Sequence, residues 1–306
     1  MTTFLVAMVI AGTPLLFATL GELLTEKSGN LNLGVEGMML IGAVAGFGAG
    51  YTTGNPLLAI MGAALAGGLA ALIYAFLTVT LRANQVVSGL ALTIFGAGVS
   101  SFVGTNFIGK KMPVEVISAF VKIKIPLLGD IPVIGDVLFN QDYFVYMGYM
   151  IAIVIGIYLY NTRFGLSLRA IGENPSAADS SGINVTVYKY VHIIVGGALC
   201  GMGGAYLAVV AVPQWQDNIT AGRGWIAIAL VIFVKWNPYL AIFGSYLFGG
   251  LSIIGFRLQH LNISPQFFDA LPYLVTIVVL VISSIRKSKE DSPPKGLGEP
   301  YFREER

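Results

Sequence analysis

"RAIGENPSAADSSGI", Arg169–Ile183, is a short polar stretch set between two long apolar runs that carry almost no charge. That contrast decides the fold. Only 11% of the 306 residues are charged and 56% are hydrophobic, whereas a soluble domain of this length carries about 25% charged residues. Apolar runs of roughly 20 residues, enough to cross ~30 Å of hydrocarbon as helix, recur on both sides of the stretch. The chain therefore reads as an all-α polytopic membrane protein with one integral domain.

Membrane segments are expected at 3–24, 33–53, 56–81, 86–107, 143–161, 188–211, 225–235, 238–257 and 269–286. These make about nine membrane helices. The seventh is too short for a straight crossing and reads as half of a broken helix. Many of the 38 glycines fall inside the runs, as in "AALAGGLAAL" and "GGALCGMGGAY". Small residues at near-helical spacing let membrane helices approach closely. The membrane domain covers 1–287, and a polar, flexible tail is expected at 288–306. The first run lacks a basic leader and an obvious cleavage site, so it reads as a retained helix. Cys200 is the only cysteine, which rules out an intrachain disulfide and a cysteine-based metal site. No metal-ligand set is expected, and His192 and His260 lack a paired ligand or nucleophile motif. A net charge of +2 gives no ground for a nucleic-acid partner.

Basic residues set the orientation. Lys27, Arg82, Arg163, Arg169, Lys189, Lys235, Arg286, Lys287 and Lys289 fall on one side, which makes that side the cytoplasm. The N-terminus is then outside and the C-terminus inside. The loop 109–142 is external and the loop 162–187 cytoplasmic. Lys110, Lys111, Lys122 and Lys124 of the external loop run against the rule.

An internal echo supports two related halves. "SGNLNLGVEG" (Ser28–Gly37) and "QDNITAGRG" (Gln216–Gly224) both read Asn-x-(Asn/Thr)-x-Gly, with Asn30 matching Asn218 and Gly34 matching Gly222. The first follows an outward-to-inward helix and the second an inward-to-outward one, so the halves would be inverted repeats. Asn30, Asn32 and Asn218 either cap the next helix or present polar groups to a solute. Glu36 carries a charge that belongs against protein or water rather than lipid.

In the quoted stretch, Asn174 suits an N-cap, Pro175 the first helical position and Gly182 the C-terminal cap. A helix of about two turns, Pro175–Ser181, follows. So short a helix is marginal alone in water. The small face of Ala177 and Ala178 suits docking into the groove of another protein.

"NTRFGLSLRAIGENPSAADSSGI" resembles the cytoplasmic coupling loop of ABC-importer permeases of the ribose, branched-chain amino acid and nucleoside group. Ala177, Ala178 and Gly182 match that family's "AA…G" core, and Arg169, Glu173, Asn174 and Pro175 match its lead. Ser176 stands where many importers have Glu. "GNLNLGVEGMMLIGA" and "LRANQVVSGLALTIFG" look most like the nucleoside permeases that work with a basic-membrane-protein type of binding lipoprotein.

The resemblance implies a transport subunit rather than an enzyme, in the plasma (inner) membrane of a bacterium. It implies an ATP-binding-cassette ATPase that holds ATP-Mg, a second homologous permease subunit, and an extracytoplasmic substrate-binding lipoprotein. No cofactor is expected on this chain, which has no G-x-x-x-x-G-K-[ST] phosphate loop. Transport would proceed by alternating access, with Asn30, Asn32, Glu36, Gln85, Ser88, Trp215 and Asn218 as candidate translocation residues. Trp215 could stack on a base or anchor at the membrane interface, and Gln85 and Ser88 could line the path or pack a helix. A sugar or branched-chain amino acid is the alternative substrate. An ion-coupled secondary transporter using Glu36 or Asp217 is the alternative mechanism.

Overall fold

A computed structural model describes residues 2–257, 265–285 and 293–303. His260 and the basic cluster Arg286, Lys287 and Lys289 lie outside them. In chain order the helices are α1 (Thr2–Lys27), α2 (Val35–Thr53), α3 (Pro56–Ala75), α4 (Gln85–Gly104), α5 (Val114–Ala119), α6 (Ile134–Leu138), α7 (Tyr143–Asn161), α8 (Arg163–Glu173), α9 (Pro175–Ser180), α10 (Val185–Ala205), α11 (Arg223–Phe233), α12 (Pro238–Arg257) and α13 (Pro265–Ile285). Wider π turns extend α3 to Thr80 and α10 to Ala211. The loop between α4 and α7 holds α5, α6 and a small antiparallel pair, β1 (Ile123–Lys124) and β2 (Asn140–Gln141).

Every expected segment is occupied by a helix. Among the described residues, however, only six helical stretches are both long and apolar enough to cross a membrane: Thr2–Lys27, Pro56–Thr80, Gln85–Phe107, Tyr143–Asn161, Val185–Ala211 and Pro238–Gly255. Helix α11, with 11 residues, is too short for a full crossing.

Side-chain caps start several helices. The amides of Leu57, Val87, Val145 and Val187 donate to the side chains of Asn55, Asn84, Asp142 and Asn184 respectively, which satisfies amides that have no partner inside the helix. The centre of the fold is α10, whose glycines face three neighbours. Added methyl groups would strike the backbone of Gly21 at Gly196, of Gly67 at Gly197, of Ala63 at Gly201 and of Met39 at Gly204. Helix α10 thus lies backbone to backbone against α1, α2 and α3, as close packing by small residues predicts. Outward faces stay apolar: Leu65, Ile94 and Phe102 are 65%, 75% and 79% exposed, as a lipid-facing surface requires.

The described part of the tail makes defined contacts. Residues 293–303 lie across α8, α9 and the segment between α1 and α2. The Gly296 amide donates to the Gly172 carbonyl at 2.8 Å. Tyr301 Oη donates to Asp179 Oδ2 at 2.8 Å, Arg303 Nε pairs with the same oxygen at 3.2 Å, and the Arg82 guanidinium covers the Phe302 ring. These contacts come from backbone groups and single side chains.

Candidate functional site

After α1 the chain does not leave as an exposed loop. Asn30 and Asn32 are each 1% exposed, and the segment 28–34 is fastened on every side. The Asn32 amide donates to Glu22 Oε1 at 3.0 Å and the Leu31 amide to Gln85 Oε1 at 2.7 Å. The hydroxyls of Tyr74 and Thr93 donate to the carbonyls of Leu31 and Leu33 at 2.6 and 2.8 Å. Helix α4 comes close because Gly89 has no side chain, where a methyl group would meet the Leu33 amide. Buried peptide groups need such partners, since each unpaired one costs about 1–3 kcal/mol.

The candidate residues take different roles. Asn32 Oδ1 accepts the Gly34 amide at 2.8 Å, which turns the chain into α2. Asn30 Nδ2 reaches Thr78 Oγ1 at 3.4 Å, while Asn30 Oδ1 has no hydrogen-bond partner in the described structure. Gln85 is spent on the loop, and Ser88 is buried beside Gly89 on the same helix. These four, with Glu36, lie along or against one segment.

Glu36, in the first turn of α2, joins the two echoed motifs physically. Its Oε1 accepts the Thr220 hydroxyl at 2.6 Å and the Gly222 amide at 2.8 Å, and its Oε2 accepts the Gly224 amide at 2.6 Å. The carboxylate thus caps the N-terminus of α11, where free amides and the helix dipole favour a negative charge. Gly222 (φ +81°) makes the turn that brings these donors together. With both oxygens engaged at 5% exposure, Glu36 acts first as a clasp.

Trp215 and Asn218 lie apart from this group. Trp215 is 2% exposed, packs on Phe47 at 5.6 Å between ring centroids, and presses on Gly104. Interior burial replaces both the interfacial anchor and the accessible stacking face expected of it. Asn218 is exposed and turns the chain with φ +52°.

The coupling segment has the expected caps. The Ala177 amide donates to Asn174 Oδ1 at 3.0 Å, and Pro175 opens α9. Gly182 sits at φ +84°, and the Ile183 amide returns to the Ala178 carbonyl at 3.1 Å, the pattern of a left-handed C-terminal cap. The helix ends at Ser180, one residue before the expected end. Ala178 does not join Ala177 on a docking face. It is 3% exposed and packs with Ile171 and Val185 of its own chain, while Ala177 and Ser176 stay exposed. Arg169 lies over the Tyr160 ring, and Glu173 is exposed.

Several participants carried no motif. Glu22 and Glu26 lie one turn apart near the end of α1, where Glu26 accepts Trp236 Nε1. Two buried carboxylates in an apolar helix are a signal that hydropathy alone averages away.

Residues 4–280 match the family described as "Branched-chain amino acid transport system / permease component". The Haloferax volcanii protein TsgC13, provisionally named a glucose ABC transporter permease protein, is 37% identical over 324 residues, covering 97% of each chain. The guanosine ABC transporter permease protein NupQ of Bacillus subtilis is 34% identical, covering 98% of this chain and 96% of the relative. The nucleoside ABC transporter permease protein NupC of Lactococcus lactis subsp. cremoris is 36% identical, covering 90% of each.

Proposed function

Since the chain belongs to the branched-chain amino acid transport system permease family, we propose that it moves nucleosides inward across the plasma membrane by alternating access. It is a multi-pass membrane protein and the permease subunit of an ABC importer, and a separate subunit hydrolyses ATP. The observation that carries the nucleoside reading is the near full-length likeness to two permeases named for guanosine and nucleosides. Uptake of a labelled nucleoside, challenged with unlabelled nucleosides, ribose, glucose and branched-chain amino acids, tests it. Competition by nucleosides alone supports the reading, and competition by glucose alone overturns it. A sugar is the second reading, favoured by the relative named for glucose.

In this proposal the N-terminus is outside and the C-terminus inside, and the short α11 is half of a broken span within inverted repeats. Glu36 holds the two repeats together. Asn30, whose Oδ1 is unspent, is the group offered to the solute, with Asn32, Gln85 and Ser88 supporting it. Asn218 lies on the external approach. A binding lipoprotein docks on 109–142 and 212–224, and a second, homologous permease completes the path. The cassette ATPase, holding ATP-Mg, seats α9 through Ser176, Ala177 and the turn at Gly182. Closure of the cassettes moves that helix and biases one access state over the other.

A further inference from the structure

A cavity of about 380 Å³ opens beside α9, walled by the end of α3, Arg82, the start of α10 and the C-terminal segment. Lys189 lines it. The residue is 4% exposed, and its ammonium has no hydrogen-bond or ion-pair partner among the described residues. The stem is buried and the ammonium is served only through the cavity, where a counter-charge would stabilise it. Among the described residues, the other charged groups of the wall are Arg82, Arg303 and Asp179. Asp179 already receives Arg303 and the Tyr301 hydroxyl. Among the described residues, three cations therefore face one engaged carboxylate. The Arg82 guanidinium rests its flat face on Phe302, 4.7 Å from the ring centre, and its N–H edge remains available for a planar, multidentate acceptor.

We propose that this cavity is a phosphate-ester site in which Lys189, Arg82 and Arg303 hold the phosphate of an anionic lipid headgroup or of a soluble phosphoester. An ammonium and two guanidinium groups match the charge and acceptor oxygens of that group. The C-terminal segment forms part of the wall, so occupancy also fastens Tyr301 and Arg303 beside α9.

The test uses the assembled transporter, with its partner permease and ATPase, in nanodiscs. One arm compares phosphatidylglycerol with phosphatidylcholine discs. The other titrates glycerol phosphate into phosphatidylcholine discs against chloride of equal ionic strength. The expected result is a saturable rise in thermal midpoint in one arm. The first arm identifies a headgroup and the second a soluble ester. Lys189→Gln weakens the apparent affinity roughly tenfold or more, the loss of one charged hydrogen bond, and Lys189→Arg restores it. Arg82 is exposed, so Arg82→Gln gives the same reading if Lys189→Gln fails to assemble. No rise beyond chloride in either arm, or an equal rise in wild type and both glutamine variants, overturns the proposal.

Discussion

The Glu36 carboxylate accepts the Gly224 amide at 2.6 Å and so ties the first turn of α2 to the first turn of α11. The partners are far apart in sequence, and the bond closes the membrane domain on itself. Glu36→Gln keeps the size but turns one acceptor oxygen into a donor. One of three donors then loses its acceptor, at about 1–3 kcal/mol. Thermal unfolding in detergent should show a lower midpoint for Glu36→Gln. A midpoint equal to wild type would mean that the clasp contributes nothing.

Gly204 on α10 faces the carbonyl of Met39 on α2, with no room for a methyl group. Gly204→Ala must push the helices apart, at about 1–3 kcal/mol for overpacking or more. Gly98 on α4 has nothing within 4 Å of an added methyl group, so Gly98→Ala should be neutral or slightly stabilising. The two variants are compared by yield of monodisperse protein and by unfolding midpoint. Equal behaviour would refute the close approach of α10 and α2.

What the sequence revealed was whatever short-range chemistry controls. The apolar runs located the long helices because each spans the hydrocarbon by its own length. Asn174, Pro175 and Gly182 located α9 because caps act within a few residues. The echoed motifs were visible as a pattern, but their contact through Glu36 was not. For Trp215 the sequence left stacking and anchoring both open, because its burial depends on Gly104 and Phe47, which are remote in the chain. The tail's contacts with the Gly172 carbonyl and Asp179 were not legible, because no local pattern announces them. Ala178 turned inward for a similar reason: Ile171 and Val185 close over it from both sides.

Tyr301 fastens the tail to α9 through Asp179. The neighbouring Arg303 is mostly exposed, so its ion pair contributes little. Tyr301→Phe removes one hydrogen bond, worth about 1 kcal/mol, and should raise the undocked fraction about fivefold. Lys295 is exposed and gives trypsin a cut within the segment. Faster cleavage after Lys295 in Tyr301→Phe is the expected outcome, and an unchanged rate would show that the hydroxyl does not hold the tail.

Ala177 and Ala178 are adjacent, yet one is exposed and the other buried. Their variants should therefore fail in different ways. Ala178→Leu must force a larger side chain between Ile171 and Val185, and overpacking of about 1–3 kcal/mol should lower the stability of the permease alone. Ala177→Leu projects outward, so the isolated permease should unfold as wild type does. If α9 is the surface on which the ATPase seats, Ala177→Leu instead lowers uptake in reconstituted vesicles while ATP is still hydrolysed, and the lost coupling appears as more ATP spent per solute moved. Gly182→Val offers a third comparison, because its φ of +84° disfavours a β-branched residue. It should distort the end of α9 without touching the membrane helices, since nothing lies within 4 Å of an added methyl group there. Normal coupling in both Ala177→Leu and Gly182→Val would remove α9 from the path by which ATP hydrolysis drives transport.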